Sequence, residues 1–157
     1  MTTILIRQLY DNDVHDFRCI RLSSLQNNPE MFGSSYAVEV KRPLHVFAEA
    51  LHNNAVFAAY VQNQIIGVLI LHIADDVENQ PKAQLYGFFV ELEYRNQGIA
   101  KQILQTVLEH AQAYVKQVKL SVMASNIAAI QLYQKYGFQF DHVEMQKQNT
   151  VTPDQND

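Results

Sequence analysis

Residues Gly98 to Val115 carry Ile99, Ile103, Val107, Leu108 and Ala111 at helical spacing, and an aromatic-rich strand, Ala83 to Val90, lies directly before them. A strand that passes through a short loop into an amphipathic helix needs a sheet on one side and a packing surface on the other. That pairing commits the chain to helices layered on a sheet.

The remaining segments supply the other strands and helices. Ile4 to Leu9 reads as a first strand, and Asp13 stands where a helix N-cap belongs, with Asp16 three residues on. Val14, Phe17, Ile20 and Leu25 form the buried stripe of the helix that follows, which ends at Asn27-Asn28-Pro29. Residues 30 to 41 read as a long connection. Pro43 suits a first helical turn, with Phe47, Ala50 and Leu51 on one face. Ala55 to Val61 and Ile65 to Ile73 make a hairpin around Gln62-Asn63-Gln64. Beyond the long helix come a strand at Val118 to Met123, a helix capped by Asn126 and stopped at Gly137, and a last strand at Phe138 to Met145. The expected order is β-α-α-β-β-β-α-β-α-β, an α/β fold with a mixed sheet. One domain is expected over residues 1–146, with a polar, disordered tail over 147–157.

Several classes are disfavoured by composition. A chain of 157 residues, 48% hydrophobic and 18% charged, builds an ordinary core without staples. A net charge of -4 gives no bulk attraction to nucleic acid or an anionic membrane. The single cysteine, Cys19, makes no internal disulfide and reads as a packing residue of the first helix. No secretory signal or membrane-length apolar run stands out, so a cytoplasmic location is the default expectation. The six histidines show no metal-ligand spacing, and no metal is expected. Tyr86, Phe88 and Phe89 share one strand, as base-stacking aromatics do, but the acidic balance argues against an RNA surface.

Chemistry concentrates in the stretch from Tyr86 to Ala100. A strand ends at Val90, and the helix opens near Gly98. Loop and first-turn amides there converge at the positive end of the helix dipole, which suits a phosphate. Gly98 lets an anion approach the backbone, Ala100 is small for the same reason, and Arg95 and Lys101 add charge. The segment is neither a P-loop nor a Gly-x-Gly-x-x-Gly turn. On these residues alone, a plain strand-to-helix turn with one glycine stays equally open.

Arg95-Asn96-Gln97-Gly98-Ile99-Ala100 resembles the Arg/Gln-x-x-Gly-x-Gly/Ala motif of the GCN5-related N-acetyltransferases, which binds the pyrophosphate of acetyl-CoA. A second segment agrees: Ser121 to Asn126, then Ala129, Leu132-Tyr133 and Lys135-Tyr136-Gly137-Phe138, resembles the family's strand-Asn-helix-Tyr-x-x-x-Gly-Phe pattern. Weaker likeness runs through Arg21 to Gln26 and Pro29 to Ser35, which in that family border the acceptor site. The resemblance implies acetyl-CoA as co-substrate, held by Phe88, Phe89, Val90, Arg95, Asn96, Gln97, Gly98, Ile99, Ala100, Lys101, Asn126 and Tyr133. It also implies direct transfer to a primary amine, on a small molecule or peptide, in a ternary complex. The backbone N–H near Val90 stabilises the oxyanion and Tyr133 serves the departing sulfur as general acid. Tyr133 alone would otherwise read as a core aromatic.

Two departures from that family pattern stand out. The strand Ala83 to Val90 holds no glutamate to act as base. Glu91 follows it and reads as directed to solvent, Glu30, Glu39 or ordered water are the alternatives, and the base stays unassigned; His72, on a strand, reads as a partly buried structural histidine ahead of a base. The usual last strand after Phe138 to Met145 is missing, and the edge this leaves is expected either to be covered in a homodimer, the preferred reading, or to stay as a mobile end of a monomer. Both departures keep a second reading open, an acyl-CoA-binding module that does not turn over.

Overall fold

In the computed structural model, which describes residues 3–27, 35–74, 82–122 and 125–139, the most deeply buried segments are two neighbouring strands, β2 (Ala55–Val61) and β3 (Gln64–Ile73). Residues 56–61 of β2 and 65–71 of β3 are all buried. Strands apolar on both sides require cover on both faces of the sheet. Their connection is a two-residue turn, Gln62-Asn63, with φ of +50° and +67°. Two positive φ values twist the turn in the sense that matches the strands.

β1 (Ile4–Leu9) pairs antiparallel with β2, β3 pairs antiparallel with β4 (Lys82–Val90), and β4 pairs parallel with β5 (Gln117–Leu120). The sheet order is β1-β2-β3-β4-β5. The parallel step needs a crossover, and the helix α4 (Ile99–Gln112) supplies it.

Alternation along the central strands divides the core in two. Val56, Ala58, Val68 and Ile70 face α1 (Val14–Asn27) and α3 (Leu44–Asn53), meeting Phe17, Ile20, Leu25, Phe47 and Leu51. Phe57, Ala59, Ile66 and Leu69 face α4, meeting Ile99, Ile103, Leu104 and Val107. The α4 side chains Ile103, Leu104 and Val107 are fully buried, and each contributes about 2 kcal/mol of apolar burial.

One feature of β4 was not read from the sequence. Against β3, Val68 pairs with Phe89 and Ile70 pairs with Tyr86. Three steps on β4 match two on β3, so β4 carries a bulge at Gly87-Phe88. Gly87 takes φ +66°, and a Cβ there would lie 3.0 Å from Ile70 Cδ1 and 3.3 Å from Arg21 Nη1. The bulge also exchanges the faces of the strand. Leu85 packs on the α4 side, yet Phe89 joins the α1 core and Phe88 the α4 core.

The expected mixed α/β architecture is present, with local differences. The long connection contains a one-turn helix, α2 (Tyr36–Glu39), capped by Ser35, whose side chain accepts the Val38 N–H. Cys19 is exposed rather than packed, because α1 turns Phe17 and Ile20 to the sheet. A 3-10 turn at Asp11–Asp13 precedes α1, and Asp13 uses its carboxylate on Arg7 and the Tyr10 N–H. Helix α5 (Ile127–Lys135) follows Asn126. The expected strand 138–145, the edge it exposes and the tail 147–157 lie largely or wholly outside the described residues.

Candidate active site

The parallel β4–β5 ladder runs from Lys82 with Gln117 to Leu85 with Leu120. Beyond Leu85, β4 keeps pairing with β3 as far as Val90 opposite Gly67, while the described chain after β5 leaves the ladder. Among the described residues, 86–90 therefore have no ladder partner on the β5 side, and they border a gap in the parallel pairing. Unpaired backbone groups along such a gap offer hydrogen bonds to an extended ligand. The bulge sits at this border.

The loop after β4 is tied down by its own side chains. Glu91 N–H donates to Ile66 O at 2.8 Å. Arg95 Nε donates to Val90 O at 2.9 Å, with its guanidinium 5.6 Å from the centre of the Phe89 ring. Arg95 thus locks the loop to the strand end. Asn96 and Gly98 both adopt positive φ, +63° and +78°, which turns the backbone sharply into α4. The first bond of α4 is Gln102 N–H to Gly98 O, 3.1 Å. The amides of Ile99, Ala100 and Lys101 precede it and are those that an α-helix leaves without an internal acceptor. Ile99 is a core side chain, so only its backbone faces this end, whereas Gln97, Gly98 and Lys101 are exposed. The dipole and these N–H groups suit an anion.

A Cβ on Gly98 would meet no protein atom within 4 Å. The protein alone therefore tolerates a side chain in space, at a cost of about 1–2 kcal/mol for the left-handed backbone. We expect Gly98→Val to stay folded and to bind CoA at least about tenfold more weakly, the equivalent of 1.4 kcal/mol. Calorimetry on the folded variant checks this, and an unchanged Kd would detach the loop from the phosphate.

Helix α5 brings Tyr133 of the second sequence segment against Phe88 of β4. Asn126 caps it by accepting the Ala129 N–H at 3.3 Å. Tyr133 follows seven residues later, nearly two turns, so cap and phenol share a face about 10 Å apart along the axis. The Tyr133 ring lies 6.4 Å from Phe88 and 5.7 Å from Phe138. Burial pushes its phenol up to about 12, so at neutral pH it is a hydrogen-bond donor.

On the opposite face of β4, Arg21 of α1 donates to both carboxylate oxygens of Glu39, at 3.1 and 3.0 Å. Ser23 Oγ donates to the Glu91 carboxylate at 2.8 Å. Glu91 is therefore turned to α1, not to solvent. Glu39 is buried in an ion pair, which argues against a roving base. His72 is exposed, pairs with Gln84 near the start of β4 and meets Asn54 Oδ1 at 2.8 Å, away from the gap. Glu30 lies outside the described residues. The Arg21–Glu39 pair and the bulge escaped sequence reading. A glycine inside a strand was the available signal for the bulge.

Among the described residues, no group of three or more His, Cys, Asp or Glu could hold a metal ion. No described helix is long and apolar enough to cross a membrane.

The end of the parallel β4–β5 ladder, the bulge in β4, the first amides of α4 and Tyr133 against Phe88 make up the candidate site. The chain matches the model of the Acetyltransferase (GNAT) family over residues 19–138 and belongs to that family. It is similar to the spermine/spermidine N(1)-acetyltransferase of Bacillus subtilis (strain 168), 29% identical over 99 residues, 60% of this chain and 65% of that one. The match thus spans 65% of that relative's length. The L-amino acid N-acetyltransferase AaaT of Escherichia coli (strain K12) is 24% identical over 150 residues, 90% of this chain and 86% of its own. In fold, the chain resembles the aminoglycoside N-acetyltransferase AAC(6')-Iy solved in complex with CoA, with a TM-score of 0.69 at 21% identity, covering 90% and 91% of the two chains.

Proposed function

We propose that this protein is an N-acetyltransferase that moves an acetyl group from acetyl-CoA to a primary amine within a ternary complex, using one domain over residues 1–146. The observation that carries the proposal is the juxtaposition at the gap: bulged β4, amides at the start of α4, and Tyr133 against Phe88. The pyrophosphate lies on the amides of Gln97 to Lys101, with Arg95 holding the loop. The pantetheine arm runs along the backbone of Phe88, Phe89 and Val90, with Asn126 beside it.

The neutral amine nitrogen attacks the thioester carbon. The developing oxyanion takes a hydrogen bond from the backbone N–H near Val90. The C–S bond then breaks, the electron pair leaves on sulfur, and the nitrogen, cationic after attack, gives its extra proton to water so that a neutral amide remains. An ordinary thiol has a pKa near about 8.5, below the value of about 12 reached by Tyr133. The phenol therefore stabilises the thiolate chiefly by donating a hydrogen bond, and solvent completes protonation. The ammonium form of the acceptor sheds its proton first, through water, because Glu39 and Glu91 are both engaged with α1.

That engagement of both carboxylates also favours the second reading, a module that binds acyl-CoA without turnover. Thiol release from acetyl-CoA, measured across polyamines, amino acids, peptides and aminoglycosides, separates the two. Release with at least one amine is expected. Tight CoA binding with no release from any amine would support the module instead.

A further inference from the structure

The residue that follows the proposed oxyanion donor is tied to a helix far from it in sequence. In an antiparallel ladder, successive residues turn their N–H and C=O groups to alternate edges of the strand. Glu91 N–H donates to Ile66 O of β3 at 2.8 Å. Val90, one residue back, therefore turns its N–H and C=O to the other edge, where the parallel pairing with β5 has ended. Its C=O accepts from Arg95 Nε at 2.9 Å, in keeping with that direction. The Val90–Glu91 peptide is thus held from both edges. Only the φ and ψ torsions of Val90 separate it from the Val90 N–H.

A third restraint comes from α1. Ser23 Oγ lies 3.0 and 2.8 Å from the two carboxylate oxygens of Glu91, to which it donates. Asn27, one turn further along α1, donates from Nδ2 to Ser23 O at 2.9 Å and to Ser23 Oγ at 3.2 Å. That second bond occupies a lone pair of the hydroxyl and leaves its proton for Glu91, and bonds linked in this way polarise one another. The neighbouring Ser24 is the contrast. It is fully buried, and its Oγ turns back on its own helix to Arg21 O at 2.7 Å, the ordinary use of a serine inside a helix. The Ser23 hydroxyl instead crosses to a residue 68 positions away.

We propose that Ser23 is a positioning residue for the acyl transfer: through the Glu91 carboxylate it fixes the end of β4, so that the Val90 N–H meets the thioester oxygen. This rests on the acetyltransferase reading above. A donor stabilises a developing oxyanion most when it is aligned before the reaction, and a misplacement of about 1 Å caused by a residue outside the chemistry can cost about 100-fold in rate. The tie also holds the charge of Glu91 in place. Its carboxylate, one residue from Val90, would oppose negative charge on the thioester oxygen if it swung toward the gap. Ser23 keeps it on α1.

The test compares Ser23→Ala, Ser23→Thr and Ser24→Ala with an amine that the panel above finds to be acetylated. Ser23→Ala should lower kcat by about tenfold, with KM for acetyl-CoA and Kd for CoA within about threefold. Ser23→Thr keeps the hydroxyl and should recover most of the loss. Ser24→Ala removes a hydroxyl from the same helix without touching Glu91 and should leave kcat within about threefold. Infrared difference spectra of bound acetyl-CoA, isotope-labelled at the acetyl carbonyl, read the donor itself. The carbonyl stretch should move to higher frequency in Ser23→Ala, because the hydrogen bond to its oxygen weakens, and return in Ser23→Thr. An unchanged kcat, an unmoved stretch, or a loss that Ser24→Ala matches would overturn the inference and leave the acetyltransferase reading intact. If acetyl-CoA binds but no amine is acetylated, that reading fails, and the stretch alone decides the inference: a shift in Ser23→Ala upholds the positioning of the Val90 N–H, and no shift removes it.

Discussion

Tyr133→Phe is expected to lower kcat by about 10- to 100-fold while the Michaelis constant for acetyl-CoA stays within about threefold. The ring contacts with Phe88 and Phe138 survive in phenylalanine, so binding and folding have little to lose. What disappears is the hydroxyl, whose hydrogen bond gains value only as charge gathers on sulfur. With its phenol pushed up to about 12, Tyr133 is protonated throughout neutral pH. The donor is lost only as pH rises through that value, so any change of rate between about pH 6 and 9 belongs to another group, the acceptor amine first. Steady-state kinetics and a pH–rate profile of both proteins check this. Equal kcat, under conditions where chemistry limits, would return Tyr133 to a packing role.

Glu39→Ala is expected to destabilise the fold by about 3 kcal/mol, because it strands the largely buried Arg21 guanidinium. In the native protein, Arg21 and Glu39 side chains are 15% and 4% exposed and share two hydrogen bonds. The desolvation of the pair is already spent in folding, so removing one partner leaves the other uncompensated. For a domain of this size the loss corresponds to roughly 6–12 °C in Tm. Glu39→Gln should cost less, since the amide oxygen still accepts one bond. Thermal and urea unfolding of both variants measures the difference. A Glu39→Ala protein within 1 °C of the wild type would mean that water readily replaces the carboxylate.

Residues that act through near neighbours were legible from the chain alone. The stripe of α4, the hairpin turn at Gln62-Asn63, the Asn126 cap and the glycine at the start of α4 all depend on spacing or on one residue's own backbone preference. The expected order of elements and the placement of Gly98 and Tyr133 on them followed from these. Boundaries drifted where terminal turns fray into the loop, as at the end of α4, read to Val115 and observed at Gln112.

What the chain alone did not determine are features set by partners distant in sequence. The bulge at Gly87-Phe88 exists only relative to β3, and it decides which face each of Phe88, Phe89 and Val90 occupies. Arg95 reads as a phosphate ligand by its motif, but the fold turns its Nε to the Val90 carbonyl. Glu91 follows a strand end and looks solvent-bound until α1 brings Ser23 to it across 68 positions of chain. Glu39 reads as a mobile loop acid until α1 presents Arg21. Spacing along the chain encodes local backbone geometry, because period and capping act over a few residues. The charge state and direction of a side chain depend on what the sheet and helices stack against it, and that is decided only when the tertiary packing closes.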